Sequence, residues 1–161
     1  MKNDIDILAT HLGDSLARLN LHVTCAESCT GGAVGAAITS VEGSSEWFDM
    51  GFITYSNEAK AGLLNVSASL IDQHGAVSHE VAEAMAVGAS KVACAELAVS
   101  VSGIAGPGGG TIKKPVGTVY IAWCYAGVVR SQCFSFTGDR QTVREQAIHQ
   151  ALQGLIASVE A

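Results

Sequence analysis

The spacing of apolar residues predicts an amphipathic helix near each end of the chain. Apolar side chains that recur at steps of three and four residues lie on one face of a helix. Near the start of the chain, these positions are Ile5, Leu8, Leu12, Leu16 and Leu19. Near its end, in a helix expected to begin at about Asp139, they are Val143, Ala147, Ala151 and Leu155.

Between these two helices, β-rich stretches alternate with shorter helical ones. Runs of β-branched and aromatic residues predict strands over 21–26, 47–55, 97–104, 116–125 and 128–137. Helices are expected over 33–39, 57–64 and 67–74, with a longer one after Ser78 whose buried face carries Val81, Met85, Ala89 and Val92. Only Ala126 and Gly127 separate the last two strands, which indicates an antiparallel hairpin. The alternation predicts a layered α/β fold with a mixed, mostly parallel sheet that ends in this hairpin.

Composition narrows the class of protein. The 161 residues fit a single domain, 1–161, and the apolar share of 48% argues against disorder. Charged residues make up only 15%, which suggests that part of the surface is buried in a homo-oligomer, with a dimer favoured. The net charge of −6 argues against nucleic acid as a partner. No apolar run reaches the roughly 18 residues of a membrane span, so no membrane association is expected.

The cysteines indicate a reducing compartment. There are five, an odd number, and no two of them form a CxxC pair. The first residues, MKND, lead directly into the amphipathic pattern and do not resemble a secretory signal. We therefore expect free thiols and a cytoplasmic location.

Ser28 is the first candidate for chemistry, because it lies between a predicted strand and a predicted helix. Such a turn exposes a side chain and brings backbone N–H groups close enough to hold an oxyanion. The alternative is that Ser28 or Thr30 only caps the helix. Cys25 and Cys29 are rival nucleophiles, and a histidine could approach them in space.

Lys60 is the second candidate, because it is the only basic residue between Arg18 and Lys91. Its neighbours are small or apolar, and desolvation would lower its pKa enough for it to act as a general base. The alternative is a solvated lysine on a helix. Tyr55 precedes it by five residues and could orient the pair or relay a proton, or it could be a half-buried strand tyrosine.

Arg140 and Arg144 share one face of the last helix, close to its N-terminus. Positive charge there opposes the helix dipole, and a bound phosphate or carboxylate would remove the conflict. Pairing with Asp139 or Glu145 on a solvated face is the alternative.

The segment 103–110, GIAGPGGG, could cradle a phosphate with its backbone N–H groups. It lacks the GK[ST] ending of a P-loop, which disfavours phosphoryl transfer, and it serves equally well as a simple turn. Metal-binding patterns are missing among the histidines, and we expect neither a metal nor a cofactor. The histidines are His11, His22, His74, His79 and His149.

Six motifs in fixed order carry a family resemblance over nearly the whole chain. They read AESCTGG at 26–32, GFITYSNEAK at 51–60, HGAVS at 74–78, VSGIAGP at 101–107, KPVGTV at 114–119 and GDR at 138–140. Together they resemble the C-terminal domain of the competence/damage-inducible protein CinA. The resemblance is greatest to the stand-alone nicotinamide-nucleotide amidohydrolases of that family.

The resemblance implies a three-layer α/β/α fold and hydrolysis of nicotinamide mononucleotide to nicotinic acid mononucleotide and ammonia. It implies a Ser–Lys mechanism, carried here by Ser28 and Lys60 with Tyr55 as a third member. The resemblance also implies a substrate-binding arginine, which we assign to Arg140 with Arg144 as a helper. We further expect substrate contacts from the turn after Ser28 and from the end of the strand over 97–104 with its glycine segment, namely from Thr30, Gly31, Gly32, Ser102, Gly103 and Gly106. The alternative to an enzyme is a catalytically silent module that binds a nucleotide or a competence or DNA-damage partner.

Overall fold

A single five-stranded sheet, in the order β2-β1-β3-β4-β5, organises residues 2–161, the part of the chain that this computed structural model describes. The strands are β1 (Val23–Glu27), β2 (Phe52–Ile53), β3 (Leu97–Gly103), β4 (Thr118–Tyr125) and β5 (Val128–Ser135). β1 runs parallel to both β2 and β3, whereas β4 is antiparallel to β3 and β5. The sheet is therefore mixed, and the predicted hairpin is confirmed.

Helices cover both faces of this sheet and make the fold an α/β/α sandwich. They are α1 (Lys2–Leu19), α2 (Ala33–Thr39), α3 (Asn57–Leu64), α4 (Ala68–His74), α5 (His79–Ala93) and α6 (Arg140–Glu160). One layer is formed by α1, α2 and α6, which pack on one another and, through α2 and α6, on the sheet. The other is formed by α5, which crosses four strands, with α3 and α4 packed against it. The fold class predicted from the alternation of helices and strands is confirmed.

Local sequence explains most of the helix boundaries. Ser56, Ser67, Ser78 and Asp139 each accept a hydrogen bond from a backbone N–H in the first turn of α3, α4, α5 and α6, respectively. These caps satisfy donors that a helix leaves unpaired at its start. The predicted cap at Ser78 and the predicted start of the last helix near Asp139 are both confirmed.

The predicted strand over 47–55 is wrong for most of its length. Only Phe52–Ile53 forms a strand paired with β1, apart from one isolated bridge between Phe48 and Val23, and a single 3₁₀ turn, Ser44–Glu46, precedes both. Trp47 is 4% exposed, and a Cβ added at Gly13 of α1 would lie 2.7 Å from its ring. The aromatic residue that favoured a strand here therefore packs in the core under α1.

Two residues predicted to lie on buried helix faces are exposed. Leu19 is 41% exposed and Val92 is 42% exposed, and each lies in the last turn of its helix. By contrast, all four apolar positions predicted for α6 are fully buried, namely Val143, Ala147, Ala151 and Leu155. The periodicity therefore holds where a helix packs on its neighbours and fails where the helix ends.

The strand directions gather the predicted functional residues at one edge of the sheet. At the end of β1, Glu27 is paired with Ile53 of β2 and Val101 of β3. Since these three strands are parallel, the segments that follow them leave the sheet side by side. β5 also runs toward this edge, because it is antiparallel to β4, and the chain from β5 leads there into α6.

Candidate active site

A pocket of about 290 Å³ opens at this edge of the sheet. Seven of the eleven predicted site residues line it, and so does the rival nucleophile Cys29: the seven are Ser28, Tyr55, Lys60, Ser102, Gly103, Gly106 and Arg140. Thr30, Gly31, Gly32 and Arg144 are not among its lining residues: the first three belong to the turn that carries Ser28, and Arg144 contacts that turn at the Thr30 carbonyl. Asn57, Ala76 and Val77 also line the pocket and were not predicted.

Ser28 is held at the tip of a tight turn between β1 and α2. Its N–H donates to the Val101 carbonyl at 2.9 Å, and its own carbonyl accepts from the N–H of Gly31 at 3.0 Å. Gly31 and Gly32 have φ of 60° and 103°, values that residues with a Cβ rarely adopt. A side chain at Gly32 would also collide with Ile53, because its Cβ would lie 2.9 Å from the Ile53 Cδ1.

The turn leaves backbone donors free beside the serine. The N–H groups of Cys29 and Thr30 make no hydrogen bond to another residue of the described chain. The N-cap of α2 is Gly32, and neither the Ser28 nor the Thr30 hydroxyl accepts from an N–H of this helix. The alternative in which Ser28 or Thr30 caps the helix is therefore wrong, and the free N–H groups suit a developing negative charge.

Lys60 projects from α3 into the pocket and is 1% exposed. Its Nζ donates to the Thr54 carbonyl at 2.7 Å, to the Tyr55 carbonyl at 3.2 Å and to Ser28 Oγ at 3.1 Å. No carboxylate forms an ion pair with it among residues 2–161. Burial lowers the pKa of the Lys60 ammonium below the 10.5 of an exposed lysine, and the alternative of a solvated lysine is wrong.

Tyr55 contacts the site through two different groups. Its backbone carbonyl accepts from Lys60, whereas its hydroxyl accepts a hydrogen bond from Arg140 Nη2 at 3.2 Å. The side chain is 61% exposed and follows β2 in a loop, so the alternative of a half-buried strand tyrosine is wrong. The hydroxyl makes no hydrogen bond to Ser28 or Lys60, so this arrangement holds no direct proton relay through it.

Arg140 lies in the first turn of α6 and is fixed on two sides. Its Nη1 donates to the Gly106 carbonyl at 2.7 Å, and its Nη2 donates to Tyr55. Neither Arg140 nor Arg144 pairs with Asp139 or Glu145, because Asp139 accepts from Thr142 and Glu145 accepts from Gln141. A guanidinium has five N–H donors, so Arg140 retains donors for an anion in the pocket.

The glycine segment after β3 forms one wall of the pocket. An added Cβ would lie 2.7 Å from Val119 Cγ2 at Gly103 and 2.4 Å from Val116 Cγ1 at Gly106. Only glycine fits so close to β4 and the segment before it. Ser102 is 1% exposed, and its hydroxyl donates to the Ala76 carbonyl at 2.7 Å, which joins this wall to the segment before α5.

Lys114 supports the same wall and was not predicted. Its Nζ donates to the Val77 carbonyl and, at 3.4 Å, to the His74 carbonyl. The ammonium also lies 5.8 Å from the centre of the Tyr120 ring. A basic residue next to a glycine-rich loop was the only sequence signal for this role.

Glu27 is a second residue that the sequence analysis missed. It is 1% exposed, and its two carboxylate oxygens accept from the N–H groups of Val34 at 2.8 Å and Gly35 at 2.9 Å. It thus closes the start of α2 directly behind Ser28. An acidic residue at the end of an otherwise apolar strand was the available signal.

The rival nucleophiles are buried thiols that resist ionisation, although Cys29 lines the pocket beside Ser28. Burial, reinforced by the Glu27 carboxylate, raises the pKa of Cys25 well above its usual range. Burial also raises the pKa of Cys29 to about 11, so its thiol stays protonated near neutral pH. His74 faces Glu80, and His79 contacts Ser131, so neither imidazole is a partner for a nucleophile in the pocket.

Two other kinds of site were sought along residues 2–161. No group of three or more His, Cys, Asp or Glu residues there could hold a metal ion. Among the described helices, none is both long and apolar enough to cross a membrane.

Known proteins with similar sequences cover almost the whole chain. The nicotinamide-nucleotide amidohydrolase PncC of Pseudomonas putida is 53% identical over 152 residues, which cover 94% of this chain and 95% of that protein. The protein of the same name from Escherichia coli K12 is 53% identical over 151 residues, which cover 92% of this chain and 90% of that protein.

Solved structures share the whole fold. The competence/damage-inducible protein CihA from Agrobacterium tumefaciens is 41% identical and superposes with a TM-score of 0.95, covering 98% of this chain and 96% of that one. A CinA superfamily protein from Klebsiella pneumoniae is 36% identical and superposes with a TM-score of 0.93, over 97% and 98% of the two chains. The family model for the CinA C-terminal domain matches residues 5–159. The chain therefore belongs to the CinA C-terminal domain family.

Proposed function

We propose that this protein is a nicotinamide-nucleotide amidohydrolase that converts nicotinamide mononucleotide to nicotinic acid mononucleotide and ammonia. Ser28 is the nucleophile and Lys60 is the general base. The observation that carries the proposal is the contact of 3.1 Å between the buried Lys60 Nζ and Ser28 Oγ. The amidohydrolase names of the similar proteins from Pseudomonas putida and Escherichia coli support the substrate class.

The surroundings of Lys60 favour its neutral form as a base. A neutral amine has two N–H donors and one lone pair. The ammonium donates to all three oxygens around Nζ, whereas the neutral amine would donate to the carbonyls of Thr54 and Tyr55 and turn its lone pair toward Ser28 Oγ. Burial favours the same protonation state, because it destabilises the ammonium.

The reaction then proceeds through an acyl-enzyme. Ser28 Oγ attacks the carboxamide carbon and passes its proton to Lys60, while the N–H groups of Cys29 and Thr30 hold the oxyanion. The C–N bond breaks as Lys60 returns the proton to the leaving nitrogen, and ammonia departs. A water molecule, deprotonated by Lys60, attacks the ester, and Ser28 Oγ regains the proton as the carboxylic acid product forms.

Arg140 is the proposed ligand for the substrate phosphate. Its guanidinium lines the same pocket as Ser28, and its contacts with Gly106 and Tyr55 fix its orientation before substrate arrives. A preorganised cation binds a dianionic phosphate at a low entropic cost. In this proposal Tyr55 orients the arginine and, through its carbonyl, the lysine.

The test is ammonia release from nicotinamide mononucleotide. Wild-type protein should release ammonia and accumulate a nucleotide heavier by the exchange of NH₂ for OH, and Ser28→Ala should lose this activity. Cys29→Ala is the matched control at the adjacent position and should retain it. Activity that survives in Ser28→Ala but is lost in Cys29→Ala would replace the serine mechanism with cysteine chemistry.

A binding module is the second candidate function. It would bind a nucleotide in the pocket without turnover, and a thermal shift with nicotinamide mononucleotide but no ammonia from wild-type protein would favour it. The Ser28–Lys60 contact argues against this candidate, because a binder gains nothing from burying an amine that has no carboxylate partner.

The proposed setting is the cytoplasm, with the protein acting as a dimer. All five cysteines are free, as in proteins kept in a reducing compartment. The low share of charged residues is the basis for the dimer. Light scattering in solution gives the mass that decides the oligomeric state.

A further inference from the structure

We propose that Arg144 is a positioning residue for the nucleophile turn, residues 28–32, and does not bind the substrate phosphate. It holds this turn from the side opposite the pocket and supplies positive charge to the N–H groups that receive the oxyanion. This inference rests on the proposed amidohydrolase function. It assigns a role in that site to a residue that does not line the pocket.

The first support is the position of the guanidinium. Arg144 Nη2 donates to the Thr30 carbonyl at 2.9 Å, and the residue is not among those that line the pocket. A Cβ added at Gly31 would lie 3.4 Å from the same nitrogen, so the guanidinium lies directly against the turn. Arg140, one helical turn earlier, faces the pocket instead. The two arginines therefore contact opposite sides of the site.

The second support is the rigid base from which Arg144 extends. Its helical neighbours Val143 and Ala147 are fully buried in the core between α6 and the sheet. A side chain that extends from a packed helix face holds its partner with little freedom. The Thr30 carbonyl is thereby fixed relative to the sheet, and so are the N–H groups of residues 29 and 30 in the same turn.

The third support is the charge balance. No carboxylate forms an ion pair with Arg144 within residues 2–161. Its Nε is buried without a protein partner, and so is the nearby Thr30 Oγ1. A charge in such a dry setting is weakly screened, so its field acts strongly on the adjacent turn. Buried groups without partners are costly, and their retention at a site is a mark of function.

Cys29 reports the sign of this field. Burial dominates its pKa and raises it, but the Arg144 charge, and to a smaller extent the Arg140 charge, acts in the opposite direction and favours the thiolate. The proposed oxyanion is a negative charge beside the N–H of the same residue. A cation that stabilises negative charge on Cys29 stabilises it there as well.

The experiment compares Arg144→Gln with Arg140→Gln on two readouts. The first is the steady-state kcat and KM for nicotinamide mononucleotide. The second is the rate at which a small, neutral fluorophosphonate labels Ser28, measured by mass spectrometry, because this probe requires the nucleophile and the oxyanion site but carries no nucleotide phosphate. We expect Arg144→Gln to lower kcat and the labelling rate by about 10- to 100-fold, with KM within about twofold of wild type.

The matched variant should show the opposite pattern. Arg140→Gln should raise KM by about tenfold or more and leave labelling of Ser28 close to wild type. Arg144→Lys keeps the charge but loses the planar fork, so it should recover part of the lost labelling rate. Circular dichroism and thermal unfolding show whether Arg144→Gln folds. If it does not fold, Arg144→Lys is the test variant, and its kcat and labelling rate should fall together while its KM stays unchanged.

Three results would overturn the inference. A raised KM with unchanged kcat and labelling in Arg144→Gln would make Arg144 a phosphate ligand. Wild-type kinetics and labelling rate in Arg144→Gln would show that Arg144 has no role in the site. Wild-type protein that neither labels at Ser28 nor releases ammonia would remove the proposed function itself, and this inference with it. The first two outcomes leave the amidohydrolase intact, so the two failures are distinguishable.

Discussion

Lys60 Nζ and Ser28 Oγ are 3.1 Å apart although the two residues are separated by 32 positions in the chain. Parallel pairing of β1 with β2 brings them together, because Ser28 follows β1 and the helix that carries Lys60 follows β2. Their contact lies in the wall of the pocket, and no carboxylate within residues 2–161 forms an ion pair with the amine. This setting, in which the amine is buried rather than a surface charge, supports the proposed role of Lys60 as a base.

Replacement of Lys60 by methionine is the direct test of this role. Methionine keeps most of the volume of the side chain but cannot accept a proton, so kcat should fall by about 100- to 10,000-fold, the usual contribution of a general base. Ammonia release under saturating substrate measures the change. Lys91→Met is the control, because Lys91 is exposed on α5, and its activity should equal that of wild type. Comparable activity in Lys60→Met and Lys91→Met would refute the base assignment.

The pH dependence of the reaction follows from the environment of Lys60. Burial lowers the pKa of this amine below 10.5, and only the unprotonated amine can take the serine proton. Activity should therefore rise with pH as Lys60 loses its proton, and the midpoint of the rise should lie below 10.5. A profile of kcat/KM against pH measures this midpoint. Lys60→Arg stays protonated throughout the range and should lose the rise along with most of the activity.

Much of the fold could be predicted from the sequence because its signals are local. The boundaries of α2 and α3 match the predicted ranges 33–39 and 57–64, and the hairpin at Ala126 and Gly127 is where its turn residues place it. The 47–55 region failed because the burial of Trp47 comes from tertiary packing against α1. No local pattern distinguishes an aromatic residue of the core from one of a strand.

The site was harder to predict than the fold. The order of motifs pointed to Ser28 and Lys60, whereas their local sequence also allowed a helix cap and a solvated lysine. Arg140 and Arg144 share a helix face in sequence, yet the first lines the pocket and the second contacts the back of the turn. Glu27 was overlooked because its partners, two backbone N–H groups, leave no mark on the sequence.

Cysteine reactivity offers an independent check on the environment of the nucleophile turn. With a pKa of about 11, Cys29 is present as thiolate in roughly one molecule in 1,000 at pH 8, and its side chain is buried as well. Iodoacetamide should therefore modify the exposed Cys94 and Cys133 first. Peptide mass spectrometry over a time course gives the order of labelling. Rapid alkylation of Cys29 with loss of activity would show that this thiol is ionised and would reopen the cysteine mechanism.

Glu27 is predicted to stabilise the nucleophile turn through both of its carboxylate oxygens. One accepts from the N–H of Val34 and the other from the N–H of Gly35, in a setting that is 1% exposed. In Glu27→Gln the amide nitrogen replaces one acceptor, so one buried N–H faces another donor. The free energy of unfolding should fall by about 1–3 kcal/mol, which corresponds to roughly 2–12 °C in Tm for a chain of this size.

Asp139→Asn provides the matched control for Glu27→Gln, because it makes the same change of carboxylate to amide at an exposed helix N-cap. The single oxygen of Asp139 that accepts from the Thr142 N–H has an equivalent in asparagine, which caps helices equally well. Its stability should change by less than about 0.5 kcal/mol. Denaturant unfolding measures the stability of both variants. Equal losses of unfolding free energy would show that charge at a helix start matters in general. A loss confined to Glu27→Gln would locate the effect in the buried acceptor pair behind Ser28.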